Sequence, residues 1–245
     1  MKIAIFLSGH VRTMFHKFDE NIKLIRDKVG ECEIHLFYSF WNDESRVDRI
    51  NDAWHLKVNN YVLRKKDIKT KKLNEYFLKI GIDKVDGEIE DISLMKDVID
   101  NTPFRPEYSG RNVLSSQYYK TTRVVSKYFS PDYDFYIRLR SDILLNDFPV
   151  KEQILSIVDE KCLLVNEYYW YNKTYEGLDC NEMILGGGKK VFYQVSDIYS
   201  NQDKISKQLN YHYGELVTGV HIKNLLNSSI LDEVCIFDFK YNVLR

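Results

Sequence analysis

The chain has 245 residues, of which 44% are apolar and 29% charged, with a formal net charge of -1. That length suffices for a substantial core, the mixture excludes a disordered chain, and the balanced charge excludes the global basic field that nucleic acid would attract. The four cysteines, Cys32, Cys162, Cys180 and Cys235, are scattered with no C-x-x-C pair. Such scatter suits reduced thiols better than a disulfide framework or a zinc site. No charged-then-apolar leader precedes the first strand, and no apolar run approaches the ~20 residues that span a bilayer. The expectation is a cytoplasmic protein, with peripheral membrane association left open. The 18 tyrosines accompany abundant Lys, Asn and Ile, so composition accounts for most of them.

In chain order, the opening "MKIAIFLSG" reads as a buried parallel strand ending in small residues. Met14, Phe18, Ile22, Ile25 and Val29 then recur at helical spacing. "CEIHLFYSFW" is a second strand, residues 44 to 57 a helix, and "NNYVLR" a third strand. This alternation of strand and helix predicts a sheet built from βαβ units. Residues 65 to 110 are rich in Lys and Asp, only weakly periodic, and end in a loop marked by Pro103, Pro106 and Gly110. A helix resumes from Asn112, and "SPDYD" turns the chain into the strand "DFYIRLRSDILL". A short helix, the strand "KCLLVNE", the aromatic loop "YYWYNKTYEGLD" and the strand "MILGGG" follow. Helices over 189–199 and 214–226 and a last strand, "EVCIFDF", close the chain. One mixed α/β domain is the economical reading, without repeats or a linker.

Ligands of open α/β sheets sit at the carboxyl ends of strands, where the strand order reverses. The first strand ends in Ser8-Gly9-His10-Val11-Arg12. A glycine there admits a ligand to the backbone, and Arg12 is suited to a diphosphate; a plain tight turn is the competing reading. It is neither a G-x-G-x-x-G fingerprint nor a P-loop. Trp41 ends the second strand, placed either to stack on a nucleobase or simply to pack. Arg138, Arg140 and Asp142 alternate along one strand and so share a face. Converging charges of this kind need either full pairing or a ligand such as a diphosphate or divalent ion. Gln117 and Lys120 lie on adjacent turns of one helix, where a solvated face is the default for the lysine.

"GRNVLSSQYYKTTRVVSKYF" followed by "YDFYIRLRSDILL" resembles GT-A-fold glycosyltransferases of bacterial surface-polysaccharide clusters and large algal viruses. "KIAIFLSGHVRT", "EIHLFYSFWN", "GLDCNEMILGG" and "YGELVTGVHI" are similar to further segments of that group, in the same order. The resemblance implies a GT-A (Rossmann-like) domain with a mixed, mainly parallel sheet. It implies a nucleotide-sugar-binding half over 1–145 and an acceptor-binding half over 146–245. The implied activity is sugar transfer from a nucleotide-sugar donor to a glycan or other hydroxyl acceptor, with surface-polysaccharide synthesis as the setting. It also implies Mn²⁺ or Mg²⁺ held by an Asp-x-Asp motif. Here the triplet is Arg140-Ser141-Asp142, lacking the first aspartate.

Two solutions stay open. Asp142 holds a metal together with His221, or Arg140, Arg12 and Lys120 neutralise the diphosphate without one. Donor contacts fall to Ser8, Gly9, Arg12, Trp41, Gln117, Lys120, Arg138, Arg140 and Asp142. An inverting transferase, the favoured stereochemistry, needs a carboxylate to take the acceptor proton. Glu182 is the first candidate and Asp179 the second, followed by Glu215. A sugar nucleotidyltransferase and a catalytically silent sugar-binding protein of the same fold are the alternatives.

Overall fold

The computed structural model describes residues 1–11, 15, 17–42, 69–104, 113–165, 168–169, 179–180, 183–210, 212, 214–237 and 239–243. The helix expected over 44–57, the strand "NNYVLR" and most of the aromatic loop lie outside these residues.

The first strand, β1 (Lys2–His10), is buried from Ile3 onward, as expected for a strand covered on both faces. Ile3, Ile5 and Leu7 pack on one side and Ala4 and Phe6 on the other. Helix α1 (Phe18–Val29) buries Phe18, Ile22, Ile25 and Val29 against the first of these faces. It stops at Gly30, whose positive φ of 78° ends the helix and lets its N–H reach the Arg26 carbonyl. Strand β2 (Glu33–Trp41) pairs parallel to β1 along its whole length, His10 opposite Trp41.

Residues 65 to 110, unassigned from the sequence beyond their closing loop, contain three elements: α2 (Thr70–Lys79), β3 (Lys84–Glu90) and α3 (Ser93–Asp100). The edge strand β3 runs parallel to β2. Its alternation is concealed by charge. Val85 and Ile89 pack on the core, whereas Glu88 and Glu90 lie on the other face and bind cations of the next helix, α4 (Val113–Tyr128).

Strand β4 (Phe135–Leu139) joins the other side of β1. The expected long strand "DFYIRLRSDILL" is broken. It stops at Leu139, turns through Ser141 and Asp142, and restarts as β5 (Ile143–Leu145). There it pairs with the C-terminal β11 (Tyr241–Val243), a strand the hydropathy pattern does not reveal. Arg138, Arg140 and Asp142 therefore do not form one face of one strand.

Helix α5 (Lys151–Ile157), β6 (Cys162–Val165), β7 (Tyr168–Tyr169), β8 (Asp179–Cys180) and β9 (Ile184–Gly187) follow. Next come α6 (Phe192–Ser196), a 3-10 turn at Tyr199–Asn201, and α7 (Gln202–Ser206) in place of one expected helix. Helix α8 (Gly214–Asn227) and β10 (Glu233–Ile236) complete the order. Among the described residues, seven strands form one sheet in the order β10-β6-β9-β4-β1-β2-β3. Strand β9 is antiparallel to both neighbours, and the other pairings are parallel.

Cys162 and Cys235 meet on the neighbouring strands β6 and β10, with Cα atoms 6.6 Å apart, and are joined as a disulfide. The expectation of four reduced thiols is corrected. A separation of 73 residues carries no sequence sign of this pairing, which the adjacency of β6 and β10 in the sheet creates. Cys32 and Cys180 are free and buried. Among the described residues no helix is long and apolar enough to cross a membrane.

Candidate active site

Strands β2 and β3 lie on one side of β1 and β4 on the other, so the strand order reverses between β1 and β4. At that reversal the carboxyl ends bring together Ser8, Gly9 and His10 with Arg140, Ser141 and Asp142. Ser141 Oγ donates to the His10 carbonyl at 2.5 Å, tying the two segments. Ser8 Oγ lies 2.8 Å from Thr121 Oγ1 and anchors α4 above β1. Gly9 has φ of 101°, a conformation that only glycine adopts without strain, and among the described residues a side chain placed there would meet nothing within 4 Å.

Arg140 and Asp142 form a two-pronged pair. Nε donates to Oδ1 at 2.9 Å and Nη2 to Oδ2 at 2.7 Å. The Asp142 side chain is 3% exposed and that of Arg140 14%. Several bonds fix the turn that carries them. Arg140 N–H donates to the Met183 carbonyl just before β9, and Ile143 N–H donates back to the Arg140 carbonyl. The fully buried Asn21 of α1 donates to the Ile143 carbonyl and accepts from Leu145 N–H, each at 2.8 Å. It acts as a surrogate strand partner that holds β5 directly behind Asp142.

A second charged cluster lies where β2 and β3 end beneath α4. Lys120 is fully buried, 2.5 Å from Glu90 and with Nζ 4.0 Å from the centre of the Trp41 ring. Burial pulls the Lys120 ammonium down to about 8 against the favourable pull of Glu90. Glu88 binds Arg123 and, at 2.8 Å, Lys127. Burial pushes the Glu88 carboxyl up, but these cations outweigh it and hold it near 2. Arg123 also reaches Glu90 at 3.3 Å. Lys120 is therefore not on a solvated face; its charge is committed to Glu90. Trp41 is fully buried and stacks on Tyr119 with centroids 5.8 Å apart, so its ring serves packing.

The other sequence candidates scatter. Arg138 is buried within β4, opposite Phe6 of β1 and Leu185 of β9. Gln117 sits one turn before Thr121, which donates to its carbonyl. Asp179 is in β8, opposite Tyr169 of β7, and Glu215 is in the first turn of α8. Arg12 and Glu182 lie outside the described residues. The glycines 186 to 188 leave no room for a sugar. A Cβ on Gly186 would meet the Phe135 ring at 2.7 Å, and one on Gly188 the Val158 carbonyl at 2.1 Å.

The metal that the sequence resemblance implies is tested by the state of its expected ligands. Both carboxylate oxygens of Asp142 are engaged by the Arg140 guanidinium. His221 is buried on α8, with Nε2 2.8 Å from the Gln194 carbonyl, which makes Nε2 the donor. Burial holds the His221 imidazole below its ordinary range. Among the described residues, no group of three His, Cys, Asp or Glu ligands includes Asp142 or His221. Two like unit charges 4 Å apart near a protein surface repel by about 4 kcal/mol, and a doubly charged ion beside a guanidinium meets more than that. This donor set does not fit a divalent cation.

Ser141 is the residue at the strand-order reversal that sequence reasoning missed. The neighbouring charged cluster was missed as well, and its detectable sign was the alternation of "KVDGEIE", which sets Glu88 and Glu90 on one face.

No protein-family model matches the chain, and no curated protein matches it. Solved structures do. A structure of the galactosyltransferase LgtC in complex with donor and acceptor sugar analogues aligns with a TM-score of 0.52 at 11% identity, covering 96% of this chain and 73% of that chain. An active-site mutant of LgtC gives the same score and identity and is covered over 72% of its length. Mouse xyloside xylosyltransferase 1 aligns with a TM-score of 0.45 at 10% identity. The α/β fold, with its mixed and mostly parallel seven-stranded sheet flanked by helices, matches that of GT-A glycosyltransferases. At this identity the likeness extends to the fold and to no residue.

Proposed function

We propose that the protein is a glycosyltransferase that moves a sugar from a nucleotide-sugar donor to a hydroxyl acceptor, in the synthesis of a surface polysaccharide or glycoprotein glycan. The observation that carries this reading is the fixed Arg140–Asp142 pair, tied through Ser141 to the end of β1 at the topological switch point. The fold shared with LgtC, crystallised with donor and acceptor sugar analogues, supports it. Residues 1–145 supply the donor side in this reading and residues 146–245 the acceptor side. The cytoplasm is the compartment proposed for this reaction.

The chemistry is a single displacement in the inverting form. The acceptor oxygen attacks the anomeric carbon, and the bond from that carbon to the diphosphate oxygen breaks with its electron pair on the phosphate. The acceptor proton passes to a carboxylate of the 179–182 segment, Glu182 first and Asp179 second. The leaving diphosphate gains negative charge in the transition state, so fixed donors at the sheet edge accelerate the step.

A thermal-shift screen over UDP-, GDP-, dTDP- and CMP-sugars tests the reading, because a ligand that binds only the folded state raises its apparent stability. One donor class is expected to raise the melting temperature of the wild type and to lose that effect in Asp142→Ala. No shift with any nucleotide sugar would favour the silent scaffold instead.

A further inference from the structure

We infer that Cys162, Cys235 and Glu233 form a binding site for a thiophilic divalent cation, zinc by its chemistry, in the protein whose Cys162–Cys235 bond has been reduced. The site lies on β6 and β10, away from the turn of Asp142, and the inference is independent of the sugar-transfer reading.

Strand pairing is the first ground. Strands β6 and β10 run parallel with Cys162 opposite Glu233, so these two side chains share a face of the sheet. Cys235 follows Glu233 by two positions and returns to the same face. Packing agrees with this alternation. Cys162 and Cys235 belong to the core that holds Ile154 and Ile157 of α5, whereas Leu163 and Val234 join the core on the opposite face. One ligand atom from each of the three residues, two sulfurs and a carboxylate oxygen, lies within 4.8 Å of the others.

The donor set selects the ion. Two thiolates and a carboxylate suit zinc, whereas magnesium and calcium take oxygen ligands. With zinc–sulfur bonds of about 2.3 Å at tetrahedral angles, two bound thiolates stand roughly 3.7 Å apart. The Cys162 and Cys235 Cα atoms are 6.6 Å apart, near the upper end of the roughly 4.4–6.8 Å that a disulfide spans. Rotation about the side-chain bonds therefore opens the sulfurs to the zinc spacing with both strands in place. Cys162 is buried, Cys235 half-buried and Glu233 exposed, so the fourth coordination position lies on the solvent side and falls to water. Lys161, next to Cys162 in the chain, is engaged by the Ser229 carbonyl at 2.9 Å and by Asp232 at 3.8 Å. The Glu233 carboxylate is thereby left without an ion-pair partner among the described residues.

Opening the bond takes two electrons and two protons from a dithiol, which leaves as a disulfide of its own. The cation then displaces the two thiol protons to solvent and takes both thiolates. The same cysteines thus fasten β10 to β6 by a covalent bond under oxidising conditions and by a metal under reducing ones. Beyond β10 the chain leads to β11, the partner of β5, so either link steadies the segment behind the Asp142 turn.

The test is titration of Zn²⁺ into wild type, once oxidised and once reduced with a phosphine that is removed under nitrogen before the metal is added. Co²⁺ serves as the spectroscopic probe, because charge transfer from thiolate to cobalt absorbs in the near ultraviolet and counts the thiolates bound. Reduced wild type is expected to bind one Zn²⁺ per chain, to melt at a higher temperature with it, and to show the two-thiolate Co²⁺ spectrum. The oxidised protein is expected to show none of these. Cys162→Ser and Cys235→Ser, each reduced, should weaken binding about a hundredfold and Glu233→Gln about tenfold. Cys32 and Cys180 stay in every variant, so a signal lost with Cys162 or Cys235 belongs to this pair.

Reduced wild type that binds no more Zn²⁺ than oxidised, or a Co²⁺ spectrum without thiolate charge transfer, would overturn the site. A spectrum retained in Cys162→Ser would do the same, and unchanged affinity in Glu233→Gln would overturn the three-ligand set. If a variant fails to fold, the comparison of oxidised with reduced wild type still decides.

Discussion

Lys120–Glu90 and Arg140–Asp142 are both carboxylate–cation pairs at the carboxyl edge of the sheet, assembled in different ways. The first joins residues 30 positions apart, bridging α4 and β3, with Lys120 fully buried beneath Trp41 and Glu90 15% exposed beside Arg123. The second joins residues two positions apart in a turn, with Asp142 the buried member and Arg140 14% exposed. The first pair ties two elements of the sheet edge together. The second fixes the turn between β4 and β5 at the point where the strand order reverses. Identity of residue type does not separate the two; what stands behind each carboxylate does.

Four changes break or sharpen that contrast. Asp142→Ala has the largest expected effect. With the clamp gone the guanidinium is no longer held, and sugar transfer should fall about a hundredfold, roughly 2.7 kcal/mol of transition-state stabilisation. Steady-state kinetics beside an unchanged circular dichroism spectrum would show this, and a loss of fold instead of rate would erase the distinction between the pairs.

Lys120→Met comes next and should act on stability. Removing one partner of a buried pair ordinarily costs 3–5 kcal/mol, but Arg123 remains beside Glu90, so about 2 kcal/mol is expected by urea denaturation. Nucleotide affinity of the folded fraction should drop less than in Asp142→Ala. Asn21→Ala tests the mounting of the turn. It strips a carbonyl and an N–H of their partner, for about 1–2 kcal/mol of stability and a weaker nucleotide complex. Unchanged affinity there would show that β5 need not be held for the Arg140–Asp142 turn to work.

The smallest effect is the pH dependence of Lys120. Its folded value near 8 lies below the ordinary 10.5, so between these values the unfolded chain binds the proton that the folded protein has released. Stability then rises with pH across that window and is unaffected by this group below it. Chemical denaturation from pH 7 to 10.5 should show a positive slope for wild type relative to Lys120→Met. An equal slope for both would show that Lys120 titrates normally.

What the sequence made legible follows the same division. Strands β1, β2 and β4 and helices α1 and α4 were readable because their apolar period is strong and both sheet faces are covered. The nearness of Arg140 and Asp142 was readable because they are two residues apart, whereas their expected shared strand face with Arg138 was not formed. Strand β3 was not, since an edge strand that spends one face on carboxylates looks like a solvated segment until α4 brings Arg123 and Lys127 to it. The break after Leu139 was also invisible, because Asn21 supplies a strand's hydrogen bonds from a helix 122 residues away. The Cys162–Cys235 bond arises from the strand order alone.

Product analysis tests the central claim most directly. Wild-type protein is incubated with the nucleotide sugar that stabilises it and with a glycan acceptor, and the released nucleotide is identified by mass spectrometry. The expected result is nucleoside diphosphate formed in step with glycosylated acceptor, suppressed in Asp142→Ala. Release of pyrophosphate, or turnover untouched by Asp142→Ala, would contradict it.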